Sequence, residues 1–185
     1  MPTVSELKNF TNSEPDLRPS STYLKTPKQL KANEIPIIVN DFRIAARNAI
    51  EVGFDGVEIN SAISYIIDQF LNDQVNDKTD EYGGSIENRC RLALKIVGEV
   101  VDEIGSDRVD VKLSLFSEVY GKKDSNPEFL STYLASELTK LGFLYLHVFE
   151  PKDKPRCLKS IRSALLLMDT IKPMEMKQLL KVMLI

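Results

Sequence analysis

The stretch "VEINSAISYIIDQF", Val57 to Phe70, sets Tyr65 on the short connection that follows an apolar strand. A phenol hydroxyl can both give and accept a hydrogen bond. Asn60, on the same strand, carries an amide able to donate, whereas Ile63, three residues on, offers only branched hydrocarbon. Lys112, in "KLSLF", keeps a positive charge without the planar fork of an arginine. His147 is the only histidine, so a site built on two imidazoles is excluded.

These groups need elements to hold them. From Glu34, the residues Ile38, Phe42, Ala45, Ala46 and Ala49 recur at helical spacing until Gly53 and Phe54, which predicts a helix of about four turns. "FDGVEIN" then reads as a short buried strand. A long connection leads to "YGGSIENR", where Ser85 and Asn88 mark a helix start, and Leu92, Leu94, Ile96, Val97, Val100 and Ile104 continue the helical spacing. "VDVKLSLF" reads as a second strand, "PEFLSTYLASELTKLG" as a helix closed by Gly142, and "FLYLHVFE" as a third strand. Alternation of this kind implies parallel βαβ units in an α/β fold. With 185 residues the chain is long enough for one core but short of a closed eight-stranded barrel, which takes roughly 250 residues.

A net charge of -3 with interspersed Lys and Arg gives no basic footprint, so nucleic acid is not an expected partner. Cys90 and Cys157 lack CxxC spacing and read as two reduced thiols, so no metal is expected. No run approaches the ~18 apolar residues of a membrane span, and the N-terminus has no basic-then-apolar leader. No membrane partner and a soluble cytoplasmic protein are therefore the expectation.

The segments "DFRIAARNAIEVGFDGVEI", "DQFLNDQVNDKTDEYGGSIENRCRLAL" and "VGEVVDEIGSDRV" resemble plant 12-oxophytodienoate reductases of the old yellow enzyme family. The resemblance covers about Ile35 to Pro151. It implies a partial TIM (β/α)8 barrel comprising central βα units only. It also implies FMN as cofactor, NADPH as hydride source and reduction of α,β-unsaturated carbonyls of oxylipin type. In this family two histidines hold the substrate carbonyl and a tyrosine protonates the α-carbon; the matching positions are Asn60 and Ile63 for substrate binding and Tyr65 for catalysis. A loop tyrosine packed on the sheet is the other reading of Tyr65. Lys112 stands where the family has a flavin-facing arginine.

Three segments follow: an irregular arm over 1–33, the partial flavin-oxidoreductase barrel over 34–151, and a divergent tail over 152–185. The tail departs from the family's Gly-rich phosphate-binding strand, and a shifted reading frame after Ala164 is the hypothesis that would explain the departure. Read as it stands, it is a short amphipathic helix with Leu179, Leu180, Val182 and Met183 on its apolar side. Two readings of function remain open: an FMN-dependent ene-reductase acting on a small enone or oxylipin, and a catalytically inactive barrel fragment. For a fragment, association with an intact barrel is a further expectation.

Overall fold

In the computed structural model the described residues are 29–149 and 182–185. All elements below belong to the unit Lys31–Ile185. Helix α1, Ile35–Glu51, follows a 3-10 turn over Ala32–Glu34 and carries Pro36 in its first turn, where the missing N–H would have had no helical partner. Its fully buried stripe is Ile35, Val39, Ala46 and Ala49, rotated from the expected stripe so that Ile38, Phe42 and Ala45 are only half-buried. Gly53 ends it at φ 94, a conformation open to glycine and costly to other residues.

Strand β1, Gly56–Ser61, leads through a loop to a short helix α2, Ile66–Leu71, inside the connection. Helix α3, Ile86–Ile104, starts where Ser85 Oγ accepts the Asn88 N–H at 3.4 Å. Leu92, Ala93, Ile96, Val97 and Val100 are buried along α3. Each large aliphatic side chain so buried contributes on the order of 1.5–3 kcal/mol. Strand β2, Val109–Leu113, helix α4, Pro127–Thr139, and strand β3, Tyr145–Val148, complete the expected alternation. Asn126 caps α4 through Oδ1, which accepts the Phe129 N–H at 3.2 Å.

The sheet is parallel throughout, in the order β3-β2-β1-β4. Its fourth strand, β4, is Val182–Leu184 and lies on the edge of β1. The tail is therefore not helical at Val182 and Met183. The unpaired edge of β1 supplies the reason: Ile185 N–H donates to the Glu58 carbonyl at 2.9 Å, and Asn60 N–H donates to the Ile185 carbonyl at 2.8 Å. An isolated helix of a few residues has no comparable stabilisation, because its nucleus is costly. The arm before residue 29, and Cys157, Ala164, Leu179 and Leu180, lie outside the described residues, as does the proposed frame change.

Side chains alternate across each strand. Val57, Ile59, Val109, Val111 and Leu113 are buried, and α1, α2, α3 and α4 form the neighbouring layer. The opposite face carries Glu58 and Asn60 from β1, Asp110 and Lys112 from β2, and Tyr145 and His147 from β3. Among the described residues no helix is long and apolar enough to cross a membrane, and no cluster of His, Cys, Asp or Glu could hold a metal. Cys90 is buried as a free thiol, its pKa pushed up to about 12 by burial.

Candidate active site on the polar face of the sheet

Register assembles the site. Glu58, Asp110 and Tyr145 form one cross-strand row, and Asn60, Lys112 and His147 form the next, toward the C-terminal ends of the strands. Neighbouring strands lie about 4.8 Å apart, so adjacent members of a row can engage one small molecule. Asn60 Oδ1 accepts the Ala62 N–H at 3.3 Å, and its amide hydrogens have no partner among the described residues. Lys112 is half-buried, and no described group bonds or pairs with it. His147 Nδ1 lies 2.8 Å from Glu58 Oε2, a tie that reaches across β2 from β3 to β1.

The row below is less satisfied. Asp110 is buried, and its Oδ1 has no hydrogen-bond partner among the described residues. Burial pushes its pKa up to about 6, against the opposing effect of a hydrogen bond with Tyr145. Burial, together with the bond to Asp110, raises the Tyr145 phenol to about 12.

Beyond β1 the chain turns sharply. Ile63 and Ser64 adopt φ 52 and 62, the left-handed region that a β-branched residue such as isoleucine rarely enters. Two bonds hold them there: Ile63 N–H donates to Ser114 Oγ at 2.8 Å, and Ser64 N–H donates to Asp68 Oδ2 at 2.8 Å. Asp68 is itself buried, which raises its pKa, while the bonds from Ser64 and Ser114 act in the other direction. The turn presents Ile63 and Tyr65 outward, 55% and 59% exposed. Tyr65 is the residue from which α2 starts.

Of the residues singled out in the sequence, Asn60 and Lys112 are thus brought side by side, whereas Ile63 and Tyr65 sit on the exposed turn that leaves the same strand end. Sequence reasoning missed Glu58, Asp110 and Tyr145 as site residues and treated His147 only as a solitary imidazole. Period-two alternation on β1 and β2 was the available signal for Glu58 and Asp110. Nothing in the chain order announces that His147 meets Glu58, 89 positions away. Tyr120, also missed, is exposed on the β2–α4 connection, where its Oη accepts from Gln69 Nε2 at 3.1 Å and donates to the Ser64 carbonyl at 3.4 Å.

A family described as NADH:flavin oxidoreductase / NADH oxidase matches residues 4–160. A 12-oxophytodienoate reductase-like protein of Solanum lycopersicum is 56% identical over 168 residues, 89% of this chain and 46% of the relative. 12-oxophytodienoate reductase 2 of Arabidopsis thaliana is 56% identical over 128 residues, 69% of this chain and 34% of the relative. Among solved structures, morphinone reductase in complex with tetrahydroNAD superposes with a TM-score of 0.71 at 42% identity, covering 76% of this chain and 39% of that one. The chain spans less than half the length of these relatives.

Proposed function

The chain belongs to the NADH:flavin oxidoreductase / NADH oxidase family, and from that membership we propose that it is the central part of an FMN-dependent ene-reductase of old yellow enzyme type. Its substrates are α,β-unsaturated carbonyls of oxylipin type and its hydride source is NADPH. The relatives named for 12-oxophytodienoate support the substrate class, and the nicotinamide complex of morphinone reductase supports a nicotinamide donor.

The observation that carries this reading is the row Asn60–Lys112, whose ammonium and amide hydrogens have no partner among the described residues. Such unspent donors fit the polar edge of a flavin or the oxygen of a carbonyl. Lys112 is the residue assigned to the flavin, with Asn60 as carbonyl donor, Ile63 as an apolar wall of the substrate site and Tyr65 as proton donor. The flavin, when bound, supplies hydride to the β-carbon. This chain orients the carbonyl through Asn60 and offers the Tyr65 hydroxyl to the α-carbon. An ordinary oxyanion donor is worth about 2.7–4 kcal/mol in the transition state, which is the loss expected at Ile63.

FMN titration with absorbance and fluorescence detection tests the reading. The purified protein should turn yellow and retain flavin through gel filtration, Lys112→Met should weaken retention, and NADPH should be consumed when an enone is added. A protein that stays colourless after FMN addition removes the proposal. The inactive-fragment reading rests on one observation: the exposed Ile63 puts hydrocarbon where the resemblance requires a second donor. Flavin retention with no enone-dependent NADPH oxidation selects it.

A further inference from the structure

We propose that the flavin-free chain catalyses proton exchange next to a carbonyl, with His147, oriented by Glu58, as the base and with Lys112 and Asn60 as the donors to the developing enolate oxygen. This goes beyond enone reduction, since it needs neither flavin nor nicotinamide.

The tie between Glu58 and His147 fixes the chemistry of the ring. A carboxylate oxygen can only accept, so Nδ1 carries the hydrogen of the 2.8 Å bond, and Nε2 is the ring nitrogen left to act as base when the ring is neutral. A carboxylate holding one ring nitrogen so that the other can act as base is a recurring arrangement for proton abstraction. His147 is not sequestered: its side chain is 45% exposed, against 14% for Glu58. Its register partner Lys112 carries an ammonium without a described partner, and the next residue in the row, Asn60, has amide hydrogens without a described partner. Lys112 begins on the strand adjacent to that of His147, about 4.8 Å away, and Asn60 lies one strand farther along the same row.

The step balances without another reactant. The α C–H bond breaks, its proton bonds to Nε2, and the electron pair moves onto the carbonyl oxygen, where Lys112 and Asn60 donate. Reversal returns a proton from the imidazolium to carbon. In heavy water that proton is a deuteron, so the α-position becomes labelled. Among the described residues, the groups facing His147 are Glu58 on β1, Asp110 and Lys112 on β2, and Tyr145 on its own strand.

The test follows deuterium incorporation into cyclohex-2-enone by proton NMR, using full-length protein stripped of flavin. The expected result is exchange at least tenfold above buffer, lowered at least tenfold by His147→Gln and by Glu58→Gln and several-fold by Lys112→Met. Lys140→Met, at the exposed C-terminal cap of α4, should exchange like the parent. Circular dichroism confirms that each variant is folded. Exchange no faster than buffer, or equal in folded His147→Gln, overturns the proposal. Added FMN should suppress exchange, because both uses need Lys112. Exchange that persists after FMN is added, whether FMN binds elsewhere or fails to bind, contradicts the flavin assignment and leaves the exchange activity standing.

Discussion

Two polar regions of this molecule are built on opposite terms. Around Arg89 nearly every donor is matched with an acceptor. Its Nη1 donates to Asp124 Oδ2 at 2.6 Å and to the Leu71 carbonyl, and its Nε donates to the Gly84 carbonyl at 3.2 Å. Asp124 also accepts the N–H groups of Asp73 at 3.0 Å and Asn126 at 2.9 Å. Asn76 Nδ2 bridges the Phe70 and Tyr82 carbonyls at 2.7 and 2.8 Å. On the polar face of the sheet, by contrast, Asp110 Oδ1 is buried without a described partner, and the hydrogens of Lys112 and Asn60 are unspent. The most distinctive motif in the sequence, "TDEYGGSIENR", belongs to the first region. It forms a clamp that joins α2, α3 and the β2–α4 connection.

The comparison is broken most severely at the clamp. Arg89 is 4% exposed, and removing one member of a buried pair leaves an uncompensated charge. Arg89→Ala should therefore cost about 3–5 kcal/mol of unfolding free energy in a urea titration. A loss under about 1 kcal/mol would place this pair with exposed salt bridges. Gly83→Ala comes next, because a Cβ there would lie 2.0 Å from the Lys78 carbonyl oxygen, which is backbone. About 3 kcal/mol of destabilisation is expected, at the upper end for overpacking; an unchanged denaturation midpoint would show that the turn relaxes freely.

The open face should respond with the other sign. The Asp110 pKa of about 6 lies above its ordinary value of 3.8, so the folded state holds this proton more tightly than the unfolded chain. Stability from this group is complete below pH 3.8 and is lost as pH rises through about 6. Asp110→Asn removes that loss, so its thermal midpoint should exceed that of the parent at pH 7.5 and approach it at pH 4. A destabilised variant at pH 7.5 would mean that the carboxylate is needed as such. The smallest effect is expected at Ser85→Ala, where the 3.4 Å cap bond is long and only about 0.5 kcal/mol should be lost. A larger loss in the urea titration would show that the clamp depends on how α3 begins.

Much of the scaffold was legible. Helical spacing and the polar residue Ser85 locate α3, and the run from Pro127 to Gly142 locates α4, because caps and apolar stripes are local properties. The helix α2 was missed, since six residues carry too little periodicity to separate from a loop. The tail was misread at Val182 and Met183 for a different reason: its conformation depends on the edge of β1, which is not a property of the tail.

The candidate site divides in the same way. Residue types alone established that Asn60 can donate, that Ile63 cannot and that Lys112 is charged, and the motifs placed the chain in its family. Parallel register was needed to set Asn60 beside Lys112 and Lys112 beside His147, because contacts between strands are fixed by the helices that return the chain. Only the folded sheet could tie Glu58 to His147 and bury Asp110, since both follow from side chains distant in sequence being pointed to one face.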